Sequence, residues 1–506
     1  MDKPRTERHL TAADAGAHTF QVIIELNTDF PGGATTARDA LLIRYHAGRG
    51  DAPTLQTGTR TRAILAPAAD LWPELAFGPA DEIDERKSLL TETYLFARLT
   101  AETIETLQGN PPPTSRICHP IHKIWLDHEV RPFVYVSART IKCDAARIAF
   151  ATAGEGVVWA VADTGIDGAH PHFRKHGNLD LPGGLRHYDL TTAHASDDDA
   201  ETAALVDTDG HGTHVAGIIA GETIAGDVLG EGTAAKRIDR IVVNKVVRAG
   251  QDGTATMVEP RGFISGLAPK CKLLSLKVLK GGKSGLASDL IAAIGYIQQA
   301  NSYGRAVKID GVNLSLGYPF EAQWFAAGQS PLCVEVNRLV RCGVVVVVAA
   351  GNAGYGRVTT QQGTSESAAL LSTVADPGNA ELAITVGSTH RDMPHVYGIS
   401  YFSAKGPTAD GRVKPDIVAP GERIVSCAAN DPSGPGVAAF KEDSGTSMAA
   451  PHVSGAIAGF LSVRQEYKSR PEDLKAIFLA TATDLKRRPE FQGAGLLDLM
   501  RALQSV

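Results

Sequence analysis

Gly445-Thr446-Ser447-Met448-Ala449-Ala450-Pro451 is the stretch on which the reading of this chain turns. Small residues precede Ser447, and the helix-compatible run Met448–Ile457 follows it. Pro451 is expected in the first turn of that helix, where a missing N–H has no helical partner to lose. Ser447 then sits at a helix N-terminus exposed by a glycine turn. Unpaired backbone N–H groups and the positive end of the helix dipole favour developing negative charge there. The position suits a serine that carries an oxyanion intermediate. Taken alone, it suits a serine capping a buried helix better.

Three other stretches reverse that preference. Val157–Ala162 is a continuous apolar run, as expected of a strand buried on both faces of a parallel sheet, and it ends at Asp163-Thr164-Gly165-Ile166-Asp167. A carboxylate at the carboxyl end of a central strand lies where open α/β sheets place their sites. Asp209-Gly210-His211-Gly212-Thr213-His214-Val215-Ala216-Gly217 puts His211 at the start of a helix whose small residues permit close packing. Val344–Ala350 reads as another buried strand, and Gly351-Asn352 follows it. A serine nucleophile needs a base, the base needs a carboxylate to hold its tautomer, and the oxyanion needs donors. Ser447, His211, Asp163 and Asn352 supply that set, each at the end of an element. Among their neighbours, His214 is expected to face its own helix. Asp167 and Asp209 read as turn or capping residues, and Asn352 also fits a plain turn.

The four motifs Asp163-Thr164-Gly165-Ile166-Asp167, His211–Gly217, Ala349-Ala350-Gly351-Asn352 and Gly445–Val453 stand in the order Asp…His…Ser. In these residues the chain resembles the subtilisin-like serine peptidases (subtilases), from about Ala145 to Gln504. The resemblance implies an α/β fold with a mainly parallel central sheet and helices on both faces. It also implies a serine endopeptidase that hydrolyses polypeptide substrates through an acyl-enzyme. Ser447 would be nucleophile, His211 base, Asp163 its orienting carboxylate and Asn352 an oxyanion donor, with His452 structural. Ser315, Leu316 and Gly317 would pair with extended substrate and, with Ala349, Ala350 and Gly351, wall the P1 pocket. Ala375 would lie near the pocket base with Asp376 adjacent, and an apolar P1 residue is expected. Two other readings remain on the same residues: acyl transfer to an amine, as in macrocyclisation, and a non-catalytic binding protein.

Ahead of this region the sequence reads as a strand at Thr19–Leu26, a helix over Thr35–Ala47, a strand at Tyr94–Leu99, a helix capped by Thr100 and ending near Gly109-Asn110, and a strand over Ile121–Val130, with an irregular middle around 50–90. Three prolines at 111–113 stop the second helix. This is a small α+β module, residues 1–136, before a peptidase domain, 137–506. By position and element order it is similar to the propeptide of subtilisin relatives, which implies a zymogen whose module inhibits in cis. A permanently attached regulatory or partner-binding domain is the competing reading. An insertion at about 222–262, with a strand at Ile238–Val247, interrupts the place where secreted relatives hold a calcium loop. That metal site is not carried over. Asp197-Asp198-Asp199 reads as a solvated acidic loop, with calcium as the second reading. No cofactor or metal is assigned.

Composition narrows the partners. The 506 residues carry a net charge of −6 with both signs interspersed, which implies neither nucleic acid nor an anionic membrane. No apolar run is long enough to span a bilayer, and Met1–Leu10 is charged and lacks the apolar core of a secretory signal. Six scattered cysteines without a CxxC pair read as reduced thiols of a cytoplasmic protein. Cys118-His119, with His122 nearby, lacks a second ligand pair for a metal.

Overall fold

The computed structural model describes residues 19–47, 49, 77–88, 91, 93–107, 119–126, 137–229, 236–249, 253–281, 284–323, 326–359, 365–430 and 436–506. The chain divides into two compact units, Met1–Val130 and Arg131–Val506. Cys118, the prolines at 111–113, Arg131-Pro132 and the last four residues of the strand expected over Ile121–Val130 lie outside the described residues.

The first unit is an antiparallel four-stranded sheet in the order Glu82–Ile83, Tyr94–Thr100, Thr19–Leu26, Ile121–Leu126. One face alternates inward, with Val22, Ile24 and Leu26 buried against Leu95, Ala97 and Leu99. The helix Gly33–Ala47 contributes Ala37, Leu41 and Leu42 to the same core. Thr100 caps the second helix, its Oγ1 accepting from the Thr103 N–H at 3.2 Å, and that helix ends at Leu107. The middle, expected to be irregular, holds a two-residue strand and the short helix Glu85–Ser88.

The second unit is built on seven parallel strands. Their order is Ile417–Glu422, Ile384–His390, Val345–Ala349, Gly311–Leu314, Val158–Asp163, Lys272–Lys277, Tyr188–Asp189. The α/β architecture follows from burial on both faces. Trp159 and Val161 point into one apolar core, where the helices His211–Ile219 and Thr446–Val463 pack. Val158, Ala160 and Ala162 point into the other, with Ala287–Ala300 and Pro331–Arg341. Strands covered on both sides must be apolar throughout, which is why Val158–Asp163 shows no polar alternation.

The insertion forms a hairpin, Arg240–Ala249 with Gly253–Arg261, whose first strand starts two residues later than expected. That strand lies parallel to Val437–Asp443, which also pairs with Ile424–Cys427. The resulting second sheet leads straight into Ser447. Asp197-Asp198-Asp199 is not a loop: it opens the helix Asp197–Ala204. Ser196 Oγ accepts from the Asp199 N–H at 3.2 Å, and three carboxylates in the first turn oppose the positive end of the dipole.

Candidate active site

Asp163 ends its strand fully buried, its Oδ1 accepting from the Thr164 N–H at 2.8 Å. The same oxygen lies 2.7 Å from His211 Nδ1, so the imidazole is held by its far nitrogen. Thr164 Oγ1 accepts from the Gly212 N–H at 2.8 Å, which ties the carboxylate's strand to the histidine's helix. A Cβ on Gly212 would stand 2.2 Å from the Gly165 carbonyl oxygen, so only glycine lets helix and strand approach this closely.

The start of that helix is fixed by Asp207, which sequence reasoning missed. Its carboxylate accepts from the N–H groups of Asp209 (3.2 Å), Gly210 (2.8 Å) and Thr213 (2.9 Å) and from Thr213 Oγ1 (2.6 Å). The capping role expected of Asp209 thus belongs to Asp207, two residues earlier, where a side-chain oxygen reaches the helix donors. Asp167 holds a turn, accepting from the Ala169 N–H at 2.9 Å. His214 turns away from His211, its Nε2 3.2 Å from the Lys441 carbonyl. Burial pushes its pKa down to about 4. His452 is fully buried with Nδ1 2.7 Å from the Met448 carbonyl, and burial lowers it to about 4 as well.

Ser447 is the second residue of the helix Thr446–Val463, so Pro451 lies inside that helix and not in its first turn. A proline there removes the donor for the carbonyl four residues back, which is that of Ser447. Ser315 Oγ fills the gap at 2.8 Å, while Ser447 Oγ donates to the Ser315 carbonyl at 3.0 Å. The Ser315 hydroxyl is itself held by Asn313 Nδ2 (2.8 Å), whose Oδ1 accepts from Ser454 Oγ (2.9 Å). Asn352 Oδ1 accepts from the Thr446 N–H and from Thr446 Oγ1, both at 3.0 Å. With that oxygen engaged twice, the amide N–H groups are what Asn352 offers to the cleft. Thr446 Oγ1 also accepts from the Gly351 N–H at 3.1 Å. Thr446 is a second residue the sequence reading passed over, although it sits inside the nucleophile's own motif.

Two adjoining cavities share these residues. His211, Ser447 and Asn352 line one of about 320 Å³, together with Leu286, Leu316 and Asp443. Ser447 and Asn352 also border one of about 580 Å³, walled by Ser315–Phe320, Ala349, Gly351, Val374 and Ala375. Of the expected wall residues, Ala350 lines neither cavity. It alternates away from Ala349 and Gly351 and is buried with Val374 and Ala404. Asp376 does not reach the cavity either, since its Oδ1 accepts from Asn379 Nδ2 at 2.8 Å.

The family model described as "Subtilase family" matches residues 154–495. The chain belongs to the subtilase family. It is 28% identical to the serine protease AprX of Bacillus subtilis (strain 168) over 394 residues, 75% of this chain and 74% of that one. It is 30% identical to an intracellular serine protease of Paenibacillus polymyxa over 352 residues, 69% and 80% of the two chains. A solved cold-adapted subtilisin-like serine proteinase is 24% identical with a TM-score of 0.44, covering 68% of this chain and 89% of that one. As a subtilase this protein is a serine endopeptidase, and the acyl-transfer and non-catalytic readings are not favoured. Among the described residues no helix is long and apolar enough to cross a membrane.

Proposed function

We propose that this subtilase cleaves polypeptides with Ser447 as nucleophile, His211 as general base and Asp163 as its orienting carboxylate. One observation carries the assignment: the imidazole anchored at 2.7 Å on a fully buried carboxylate faces the same cavity as the serine that opens a helix. His211 takes the Ser447 proton as Oγ attacks the scissile carbonyl, then gives it to the leaving amine, and water resolves the acyl-enzyme. Asp163 remains ionised and stabilises the imidazolium. The oxyanion accepts from Asn352 Nδ2 and the Ser447 N–H, donors already in place before charge develops.

The larger cavity takes the P1 side chain. Among the described residues its lining includes Leu316, Tyr318, Phe320 and Val374 and no charged residue, which favours large apolar or aromatic P1 groups. A single methylene is worth only about 1–3 kcal/mol in such a pocket, so the preference is graded. The edge Ser315–Gly317 pairs with the extended substrate through its main chain.

The enzyme is made as a cytoplasmic zymogen, and residues 1–136 inhibit it in cis. The module's own apolar core supports a folded inhibitor, and a tether raises its effective concentration at the cleft. The test is intact mass and peptidase activity followed together in the full chain, beside Ser447→Ala. Self-cleavage between about Val130 and Cys143 with a concurrent rise in activity supports the zymogen. Full activity before any cleavage points instead to a permanently attached domain.

A further inference from the structure

Among the described residues, three carboxylates near the cleft are engaged by cations, an imidazole or helix donors, and a fourth is not. Asp163 is spent on His211, and Asp207 on the histidine's helix. Glu442 lies between Arg391 and Arg423. Asp443 is half-buried on the rim of the cavity that holds His211 and Ser447, and among the described residues it is the only acidic one lining either cavity. Its Oδ1 accepts from the Ser444 N–H at 2.7 Å, and among the described residues it forms no ion pair and no other hydrogen bond. Two groups that share its side of the strand leave its charge standing. His214 is held neutral by burial, with a pKa of about 4. Lys441, two residues back, has its ammonium against Gly210.

The fold determines where on a substrate this charge is felt. Ser315–Gly317 and the P1 walls extend the seven-stranded sheet, whereas Asp443 ends a strand of the second sheet. It is joined to the nucleophile through Ser444-Gly445-Thr446 and lines the smaller cavity but not the larger one. We propose that Asp443 is a specificity-determining residue that selects a lysine or arginine side chain flanking the scissile bond, outside the P1 cavity. The partner is thus a polypeptide with an apolar residue at P1 and a cation close beside it. A half-buried carboxylate in a low-dielectric cleft attracts such a cation more strongly than an exposed one does, and it repels Asp or Glu at the same place.

The inference rests on the peptidase reading, and its test separates the two. A neutral fluorogenic peptide with an apolar P1 residue is compared with versions in which one Lys or one Glu occupies each of the three positions on either side of P1. The ratio of kcat/KM for Lys over Glu is read within each enzyme. The active wild-type chain is expected to show a ratio of about fivefold or more at a position flanking the scissile bond. The ratio is expected to shrink in 1 M salt, where charges are screened within about 3 Å. Asp443→Asn, which keeps an acceptor for the Ser444 N–H, should bring it close to one, and Asp443→Lys should invert it. A ratio near one at every position in the wild type, or a preference that survives in Asp443→Asn, overturns the proposal. Failure of the wild type to cleave even the neutral peptide overturns the peptidase reading along with it.

Discussion

Ser315 and Ser447 exchange hydrogen bonds: the Ser315 hydroxyl donates to the Ser447 carbonyl at 2.8 Å, and the Ser447 hydroxyl donates to the Ser315 carbonyl at 3.0 Å. The first bond replaces the helical donor that Pro451 lacks. The edge that binds substrate and the residue that attacks it are thereby held in one register. Ser315→Ala should cost about 1 kcal/mol of stability, the usual worth of one internal hydrogen bond, and lower kcat. Pro451→Ala would return a backbone donor to the Ser447 carbonyl. Urea unfolding of both single variants and the double variant should therefore be non-additive, with Pro451→Ala recovering part of the loss. Strict additivity would show that the two donors do not serve the same carbonyl.

Asn352 and Thr446 should separate by magnitude. Asn352→Ala is expected to lower kcat by about 10²–10³ with KM little changed, a range measured on another subtilase and carried over from it. Thr446→Val removes the hydroxyl that orients Asn352 Oδ1 and the Gly351 N–H but leaves the Thr446 N–H in place, so its kcat loss should be smaller. Steady-state kinetics on one peptide decides the matter. A Thr446→Val loss equal to or above that of Asn352→Ala would contradict this orienting role.

Much of this was legible because each group announced itself locally. Asp163 follows an unbroken apolar strand, His211 opens a glycine-rich helix, and Ser447 opens another. The unread parts depend on contacts between distant segments. Ala350 was grouped with Ala349 and Gly351, yet strand alternation turns it inward, against Val374 and Ala404. Asp207 could have been found, since a side chain four residues before His211 can cap its helix. The helix at Asp197–Ala204 also had its signal in Ser196 and Asp199, overlooked because three carboxylates read first as a solvated loop. Nothing local told that Ser315 would satisfy a carbonyl 132 residues away.

Lys405 is a buried cation whose backbone is bonded to Thr373, a residue lining the larger cavity. Its ammonium is buried and donates to the carbonyls of Gly354 (3.0 Å), Tyr401 (3.0 Å) and Ser403 (2.9 Å). Its own backbone pairs with Thr373, and the Ala404 N–H pairs with the Gly351 carbonyl at 2.8 Å, so both bonds reach residues that line the cavity. Lys405→Met keeps the length of the side chain and leaves the Tyr401 and Ser403 carbonyls without their donor, while the Gly354 carbonyl keeps the Leu370 N–H. A loss of several kcal/mol is the expected order. Discrimination between Phe and Ala at P1 should fall at the same time. An unchanged P1 profile measured where the variant is still folded would show that the cation does not shape the pocket.

Three buried histidines set the acid limit. Burial lowers His172 to about 3 and both His214 and His452 to about 4, from an ordinary 6.5. Each stays neutral in the folded chain while the unfolded chain takes up a proton near 6.5. Their contribution to stability is intact above that value and is lost as the pH falls from 6.5 towards 4. Urea midpoints should therefore decline between pH 7 and pH 5, with a slope that approaches three protons bound on unfolding. A flat midpoint over that interval would mean that these imidazoles are not buried neutral.

The central claim, that Ser447 is activated by the His211–Asp163 pair, is tested most directly by a fluorophosphonate and peptide mapping of the adduct. In the activated wild-type chain a single adduct is expected, on Ser447, with peptidase activity lost in step with labelling. His211→Ala should label orders of magnitude more slowly, because the triad acts as a unit. An adduct on another residue, or a Ser447→Ala chain that still hydrolyses peptide at the wild-type rate, would contradict the account.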